Sequence, residues 1–258
     1  MIFYFSATGN SRYAAERLRE DGEELVSVTG AVKNGSWTYR ITDGRAGFVF
    51  PTYFCSLPSI VVEFLERLDL KYTGDLYVFY VGTYGTTTGA ASARTGELLR
   101  KQGLCLDGCF DIRMPDTWTP VFDLSDAEKV AETNRRADVQ ITELQEQIRR
   151  RTRGKHMGPT LPLIAARIGE KLYDRQRRTS SLSVDDTCIG CGLCVRCCPV
   201  QAIELREKRP VWIREQCVLC LGCLHRCPTF SIQRGPRTRK HGQYRNPHVK
   251  IPEEEKEA

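Results

Sequence analysis

The sequence predicts a parallel α/β domain followed by a small, cysteine-rich α+β domain. Short apolar runs alternate with helical segments over the first 120 residues, which is the pattern of repeated βα units. Eight of the 12 cysteines repeat one spacing in two tight clusters near the other end of the chain. With 258 residues, 41% of them hydrophobic and 27% charged, the chain has the length and composition of one large and one small globular domain.

Five strands and three helices are expected in the first domain. The strands are predicted over the apolar runs 2–5, 24–28, 46–50, 76–81 and 109–114. The helices between them are predicted over 11–20, 58–68 and 88–102, the last of which ends before a glycine. Residues 28–45 are rich in Gly, Asn, Thr and Trp and receive no assignment.

A long polar helix is predicted over 125–150, opened by a capping box of Ser125 and Glu128. The basic stretch 154–183 is predicted to be a connector with one short helix over 163–175. Beyond residue 233 the composition is polar and the chain is expected to be mobile. The expected organisation is an α/β domain over 1–120, a helical, basic connector over 121–183, a cysteine-rich domain over 184–233 and a polar tail over 234–258.

The net charge of +6 is concentrated in the connector. Residues 149–178 hold ten lysines and arginines against Glu170 and Asp174. Such a patch can bind nucleic acid, an anionic membrane or an acidic protein, or it can screen acidic groups of the same molecule. The arginines that end the long helix also suit the negative end of its dipole.

No stretch of the sequence reaches the length of a membrane span, and the opening run MIFYF is too short for the core of a signal peptide. We therefore expect a cytoplasmic protein with no transmembrane segment, whose thiols are reduced. In that setting clustered cysteines are expected to bind metal rather than to form disulfides.

The stretches CIGCGLCVRCCPVQAI and CVLCLGCLHRCPTFSI are two copies of one repeat, separated by 29 positions. Each copy contains C-x2-C-x2-C-x3-C-P, the spacing of bacterial two-cluster iron–sulfur proteins. Three thiolates on one tight loop reach three corners of a cubane, and the fourth corner takes a cysteine of the other copy. The predicted ligand sets are Cys188, Cys191, Cys194 and Cys227 for one [4Fe-4S] cluster, and Cys217, Cys220, Cys223 and Cys198 for the other.

Residues 184–233 therefore resemble a bacterial-type two-cluster ferredoxin, and the resemblance implies two [4Fe-4S] clusters that carry electrons. A pair of structural zinc sites is the alternative, since C-x2-C pairs also bind zinc. Zinc gives no reason, however, for three evenly spaced cysteines followed by Cys-Pro. Cys197 falls outside the repeat, and we interpret it as a buried thiol that binds no cluster.

The segment YFSATGNS follows the first strand and opens the first helix. The hydroxyls of Ser6, Thr8 and Ser11 and the N–H groups of Gly9 and Asn10 form a cradle for an anion without Lys or Arg. The segment has neither the GK[ST] of a Walker loop nor the GxGxxG of dinucleotide sites. It resembles the phosphate loop of flavodoxins, which implies that it binds the phosphate of FMN. An ordinary β-to-α turn is the alternative.

Two further loops, PTYFCSLP and GTYGTTTG, follow the third and fourth strands, at the edge of the sheet where such folds bind ligands. The resemblance to flavodoxins, over residues 1–115, implies a doubly wound sheet of strand order 2-1-3-4-5 whose two loops enclose the flavin ring. The implied FMN contacts are Thr52, Tyr53, Phe54, Thr83, Tyr84 and Gly85.

Tyr53 or Phe54 on one side and Tyr84 on the other are the candidate stacking rings, and each can alternatively pack in the protein's own core. Trp118 is a further candidate that closes over the flavin. Neither loop carries a carboxylate. We therefore hypothesise a flavin potential less negative than that of typical flavodoxins.

The two halves together resemble the flavodoxin–ferredoxin fusions of anaerobic bacteria, also called EFR-family ferredoxins. The resemblance implies electron transfer among the two clusters, FMN and external redox partner proteins, for which the basic connector favours an acidic partner. Bound clusters and FMN would bring the net charge near zero, which disfavours nucleic-acid binding.

Two alternatives to this electron carrier stay open. One is a ferredoxin whose flavodoxin-like domain is empty and serves docking or structure. The other is a flavin-dependent reductase of a small molecule. We predict no catalytic residue, and the four histidines are expected at the surface.

Overall fold

The N-terminal half is built around a six-stranded parallel sheet, which confirms the predicted α/β fold. In the computed structural model, which describes residues 1–250, every pair of neighbouring strands in this sheet is parallel. The elements in chain order are β1 (Ile2–Tyr4), α1 (Asn10–Leu18), β2 (Leu25–Ser27), α2 (Val28–Asn34), β3 (Thr38–Arg40), β4 (Arg45–Pro51), α3 (Ser59–Arg67), β5 (Asp69–Lys71), β6 (Tyr77–Tyr84), α4 (Ala91–Lys101), β7 (Gly108–Arg113), α5 (Ala127–Arg149) and β8 (Gly154–His156).

The strand order of the sheet is β2-β1-β4-β6-β7-β8. The five strands expected from the sequence correspond to β1, β2, β4, β6 and β7, and they lie in the order that the resemblance implies. The order reverses between β1 and β4, so the loops that follow these two strands diverge and open a crevice at the carboxyl edge of the sheet. β3 and β5 pair with each other in a small parallel sheet of their own.

The central strands bury both faces of the sheet. Phe48 and Tyr80 pack in the layer formed with α3 and α4, whereas Val49 and Phe79 pack in the layer formed with α1 and α5. Gly47 lies beneath the Phe79 ring, which a Cβ at that position would overlap. Because α5 covers one face of the sheet, it belongs to the α/β domain and not to a connector, and the domain extends beyond the expected boundary at residue 120.

Residues 28–40 and 154–156 contain elements that the sequence did not predict. α2 and β3 lie in the first stretch, and β8 extends the sheet by pairing with β7. All three residues of β8 are exposed, so the strand has no apolar alternation to identify it. Backbone hydrogen bonds hold it, beginning with the Gly154 N–H on the carbonyl of Asp107 at 2.7 Å. The sheet therefore has six strands and not the expected five.

Asp126, not Ser125, is the N-cap of α5. The Asp126 carboxylate accepts a hydrogen bond from the Lys129 N–H at 3.0 Å. The predicted capping box of Ser125 and Glu128 is therefore wrong by one position. Ser125 lies one residue outside the cap, with its own N–H on the Asp123 carboxylate at 2.8 Å. Both residue types are good N-caps, and a carboxylate is the stronger acceptor.

The cysteine-rich half is a small α+β domain, reached through the helix α6 (Leu163–Gln176). Its elements are β9 (Ser183–Val184), α7 (Leu193–Arg196), β10 (Ile203–Arg206), β11 (Arg209–Trp212), α8 (Gly222–His225), β12 (Ile232–Gln233) and α9 (Thr238–His241). β9 and β12 pair in antiparallel fashion and join the two ends of the domain, and β10 and β11 form a hairpin.

None of the helices in residues 1–250 combines the length and the apolar composition needed to cross a bilayer.

Residues 238–249 pack against both halves of the molecule, whereas the sequence predicted a mobile tail from residue 234. The Leu124 N–H donates to the His241 carbonyl, and the Asn246 N–H donates to the Thr8 carbonyl, both at 2.8 Å. Val249 packs against the buried layer formed with α1 and α5. We call residues 238–249 the C-terminal strap. The end of the predicted tail, residues 251–258, lies outside the described residues.

α6 lies directly on the loop that follows β4, and Gly169 permits this close approach because a Cβ there would overlap the Phe54 carbonyl oxygen. We expect Gly169→Ala to lower the free energy of unfolding by about 1–3 kcal/mol, the usual cost of overpacking. Urea denaturation followed by circular dichroism measures the change.

Gly96→Ala in α4 is the matched control, since the nearest atom to a Cβ there is 3.4 Å away. Helix propensity is expected to stabilise this variant by up to about 1 kcal/mol. Equal effects of the two substitutions would contradict the close packing of α6.

Candidate functional site

A cavity of about 300 Å³ opens at the carboxyl edge of the sheet, between the loops that follow β1, β4, β6 and β7. Ten of the eleven residues predicted to contact FMN line it: Ser6, Thr8, Asn10, Ser11, Thr52, Tyr53, Phe54, Thr83, Tyr84 and Gly85. The eleventh, Gly9, lies beside the cavity and beneath Asn246, whose Cβ would be 2.8 Å from a Cβ on the glycine. The fold therefore brings the three predicted loops together. We call this space the edge cavity.

The loop after β1 presents the start of α1 to the edge cavity. Gly9 has left-handed backbone with φ 102°, and its N–H donates to Ser6 Oγ at 3.1 Å. Ser11 Oγ and Thr83 Oγ1 lie 2.7 Å apart and join this loop to β6. The first N–H groups of a helix have no acceptor within the helix, so α1 offers donors to an anion at this place. The loop therefore fits a phosphate group.

The Asn10 side chain holds the walls of the edge cavity together. Its Nδ2 donates to the Pro115 carbonyl at 3.3 Å. Its Oδ1 accepts from the Tyr244 hydroxyl at 2.8 Å and from Asn246 Nδ2 at 3.1 Å. Asn10 therefore ties the loop after β1 to the loop after β7 and to the C-terminal strap.

A turn of unusual backbone presents Phe54 to the edge cavity. Phe54 and Cys55 both have positive φ, 47° and 62°, and reciprocal backbone hydrogen bonds of 2.9 and 2.8 Å close the turn around them. Such turns usually take Asn-Gly, because other residues are strained there by roughly 1–3 kcal/mol each. The Phe54 ring meets Trp118 edge-on at 5.4 Å, and Tyr84 lies at the end of β6. These aromatic walls suit a planar ring system.

Asp116 also lines the edge cavity, although the sequence analysis did not select it. Its carboxylate accepts from the Trp118 N–H and from Thr86 Oγ1, each at 3.0 Å, and burial raises its pKa. The hypothesis of a less negative flavin potential rests on the two loops after β4 and β6, which carry no carboxylate, but the loop after β7 brings Asp116 to the same cavity and weakens that argument. Asp116 follows the fifth predicted strand at the same sheet edge, so its position could have revealed it.

The cysteines of the repeat line two further cavities. The outer cysteine cavity is lined by Cys188, Cys191, Cys194 and Cys227, and the inner cysteine cavity by Cys198, Cys217, Cys220 and Cys223. These are the two crossed sets that the spacing predicts. Within residues 1–250, no group of three or more His, Cys, Asp or Glu side chains could hold a metal ion. This finding concerns single metal ions. A [4Fe-4S] cubane is larger than one ion, so its four thiolates lie farther apart.

Both copies of the repeat bend the backbone at equivalent positions. Gly190 and Gly192 have positive φ, 69° and 75°, and so do their counterparts Leu219 and Leu221, at 52° and 55°. These residues alternate with the first three cysteines of each copy. The bend therefore follows the repeat even where the residue is not glycine.

Hydrogen bonds to sulfur differ between the two cavities. In the inner set, Cys198 Sγ accepts from the Ala202 N–H and Cys217 Sγ accepts from the Leu219 N–H, both at 3.2 Å. Cys227 Sγ accepts from the Ser231 N–H at 3.3 Å and lies 3.2 Å from Ser231 Oγ. Burial alone would raise the pKa of Cys227, but hydrogen bonds led by Ser231 lower it, whereas burial raises the pKa of Cys220 to about 12. Because thiolates ligate iron, ligation would release protons from such buried thiols.

Cys197 is buried but lies outside the lining of both cysteine cavities. Its Sγ lies 3.6 Å from the Cys194 carbonyl oxygen.

The inner cysteine cavity shares a wall with the edge cavity. Leu219, Cys220 and Leu221 line both. Next to this wall, Arg226 Nη2 donates to the Ala7 carbonyl, in the loop after β1, at 2.6 Å. The two sites are thus separated by the side chains of one three-residue segment, which we call the shared wall.

His225 is buried, with 1% of its surface exposed, so the expectation that all four histidines lie at the surface is wrong. Its Nδ1 accepts from the Tyr244 N–H at 3.1 Å, and its Nε2 lies 2.8 Å from the Thr117 carbonyl. Burial lowers the pKa of His225 to about 4, so the ring is neutral at neutral pH and Nε2 carries the proton. The ring therefore joins α8, the loop after β7 and the C-terminal strap.

Tyr244 is the centre of the strap's contact with the α/β half. Its hydroxyl lies 2.8 Å from Asn10 Oδ1 and 2.9 Å from Asn134 Oδ1, both buried acceptors. Tyr244→Phe is expected to lower the free energy of unfolding by about 1–2 kcal/mol, because the buried Asn134 Oδ1 loses this donor while Asn10 Oδ1 keeps the one from Asn246 Nδ2. Urea denaturation measures the difference. Tyr72→Phe, at a tyrosine that is 43% exposed, is the control and should stay within about 0.5 kcal/mol of the parent protein; a similar loss there would contradict the assignment.

Residues 187–243 match the family model of the 4Fe-4S dicluster domain. The chain is 39% identical over 79 residues to a ferredoxin of Pyrobaculum islandicum, which covers 28% of this chain and 72% of that protein. It is 36% identical over 56 residues to a ferredoxin of Methanothermococcus thermolithotrophicus, covering 20% of this chain and 93% of that protein.

A flavodoxin of Fusobacterium nucleatum, solved with bound flavin mononucleotide, is similar over 57% of this chain and 96% of its own, with 17% identity and a TM-score of 0.33. The description of the N-terminal half as flavodoxin-like rests on its strand order and on the loops at the sheet edge. The chain thus joins a flavodoxin-like α/β domain to an iron–sulfur domain, and through the latter it belongs to the ferredoxin family.

Proposed function

We propose that this protein holds FMN in the edge cavity and a [4Fe-4S] cluster in each cysteine cavity, and that it passes electrons between these cofactors and a redox partner protein. The observation that carries the proposal is the shared wall: Leu219, Cys220 and Leu221 line both the edge cavity and the inner cysteine cavity. A cysteine in contact with both sites gives an electron a short covalent path out of the edge cavity.

Different residues around the edge cavity would bind the phosphate and the ring system of FMN. The start of α1, with Ser6 and Thr8, would take the phosphate. Phe54 and Tyr84 would hold the ring system, with Trp118 beside Phe54. When bound, FMN exchanges one or two electrons whereas each cluster exchanges one. The C-terminal strap fastens the phosphate loop from outside the cavity, through the Asn246 N–H on the Thr8 carbonyl.

The outer cysteine cavity is the proposed exit. Cys191 is exposed, as is Ile189 with 64% of its surface, so this cavity lies close to solvent. Cys227, which belongs to this set, also receives the hydrogen bonds of Ser231. Such hydrogen bonds stabilise the extra negative charge of a reduced cluster, and the inner set receives them too, from the Ala202 and Leu219 N–H groups. We propose an acidic partner protein, because residues 149–178 hold ten lysines and arginines against Glu170 and Asp174.

The composition of the protein purified without oxygen tests this proposal first. We expect about eight iron and eight sulfide per chain, together with about one FMN. Iron and sulfide without FMN would support instead the ferredoxin with an empty docking domain. Zinc without sulfide would overturn the iron–sulfur assignment.

A matched set of cysteine variants tests the two ligand sets. Cys191→Ser and Cys223→Ser are each expected to lose about half of the iron and sulfide, because each removes a ligand of a different cluster. Cys197→Ser should keep all of it, because Cys197 lies outside both cavities. Retention of both clusters in Cys223→Ser, or loss of one in Cys197→Ser, would contradict the proposed ligands. Circular dichroism and the FMN content report whether each variant still folds.

The shared wall predicts that electrons leave the flavin within one molecule. Bound FMN is reduced by a pulse, and the loss of the visible absorbance of the clusters then reports their reduction. In the parent protein the rate of this loss is expected to be independent of protein concentration. Cys191→Ser should keep this phase, since it alters only the outer cavity, and Cys223→Ser should lose it. A rate proportional to protein concentration in the parent protein would overturn the proposed path.

A further inference from the structure

Helix α6 exposes three large aliphatic side chains to solvent. Ile164 and Ile168 are each 64% exposed and Leu172 is 49% exposed, at successive four-residue steps on one face. The buried face of the helix instead carries Ala166 and Gly169, with Tyr173. Helices of globular proteins usually bury their large aliphatic residues, so this arrangement indicates that something covers the outer face.

The exposed aliphatic residues form one line. Eight residues of α-helix separate the first from the last, which is about 12 Å along the axis. Leu161, two residues before the start of the helix, is also 42% exposed. We call Leu161, Ile164, Ile168 and Leu172 the α6 stripe. It contains no aromatic ring and no polar side chain.

Positive charge borders the α6 stripe. By helical geometry Arg167 and Lys171 lie on one side of it and Arg175 lies at its C-terminal end. Arg167 pairs with Glu97 and Glu170. Lys171 and Arg175 make no ion pair with any residue in the range 1–250, so their charges are available to a ligand.

The acidic residues of α6 do not cancel these charges. Glu170 is engaged by Arg94 at 2.7 Å, and Asp174 is engaged by Arg177 at 2.8 Å. The outer face of α6 therefore combines an aliphatic line with uncompensated cations.

We propose that the α6 stripe and its bordering cations dock this protein on an anionic lipid surface, with the helix lying in the plane of the membrane interface. A helix that binds membranes in this way carries aliphatic residues on one face and Lys or Arg beside them. Protein interfaces, in contrast, concentrate Trp, Tyr and Arg in pockets, and leucine is under-represented among their energetically dominant residues. The stripe is aliphatic and contains no such anchor, so lipid is the better match.

The inner face of the same helix contacts both proposed electron-carrying sites. Gly169 lies against the Phe54 carbonyl, and the Tyr173 hydroxyl donates to the Val218 carbonyl beside the inner cysteine cavity. Docking by α6 would therefore hold the shared wall close to the lipid surface and leave the outer cysteine cavity to a partner. The docking itself requires neither FMN nor iron, so it can fail or succeed independently of the proposed electron transfer.

Vesicle sedimentation of the anaerobically purified holoprotein tests this docking. Vesicles of equal parts phosphatidylcholine and phosphatidylglycerol are compared with vesicles of phosphatidylcholine alone. We expect at least tenfold tighter binding to the anionic vesicles, weakened by added salt. The double variants Ile168→Ser with Leu172→Ser, and Lys171→Glu with Arg175→Glu, should each weaken the binding about tenfold.

Matched substitutions on α5 serve as controls. Val139→Ser changes an aliphatic residue that is 60% exposed, and Lys129→Glu changes an exposed cation, both away from α6. Neither should alter vesicle binding. All variants should keep their circular dichroism spectrum and iron content, because the changed side chains are exposed.

Three results would overturn the docking proposal. The first is equal or absent binding to the two kinds of vesicle. The second is unchanged binding of both double variants. The third is a concentration-dependent dimer, seen by light scattering, that Ile168→Ser with Leu172→Ser abolishes, because a second copy of the chain would then be what covers the stripe.

Discussion

The shared wall imposes one constraint on the whole molecule, because three residues must serve two sites at once. Cys220 has to belong to the loop that carries the inner set of cysteines and also face the edge cavity. The cysteine-rich half can meet this demand only if it sits against the carboxyl edge of the sheet. It is held there through backbone carbonyls of the α/β half, at Ala7 and Thr117, which accept from Arg226 and His225. Carbonyl acceptors fix position without depending on particular side chains in the loops.

The C-terminal strap completes this arrangement. Gln243 Nε2 donates to the Leu224 and Cys227 carbonyls at 2.6 and 2.8 Å, and three residues later Asn246 bonds to the loop after β1. One short segment therefore contacts both halves of the molecule. Buried hydrogen bonds of this kind are costly to leave unmade, so the strap resists separation of the two halves. The joint between them is a packed interface and not a flexible tether.

The features that could be predicted from the sequence are those encoded locally. Strands such as β4 and β6 can be recognised from their apolar runs. The spacing of the cysteines predicts the two crossed sets that line the cysteine cavities. The sequence does not reveal β8, because its three residues are exposed and show no apolar alternation. The strand forms only because β7 offers it backbone partners at the edge of the sheet. His225 and Tyr244 were missed because their partners lie far away along the chain, at Thr117 and Asn10. His225 and Tyr244 carry polar groups, which are usually exposed, and only the folded structure shows that both residues are buried.

The backbone of the shared wall is strained where the other copy of the repeat is relaxed. Leu219 and Leu221 adopt a left-handed conformation that suits glycine, and glycine stands at both equivalent positions, 190 and 192. Both leucines are only 3% exposed, so their side chains fill space that glycine would leave to water. In the proposed electron transfer, apolar side chains on both sides of Cys220 would reduce the solvent rearrangement that accompanies each electron.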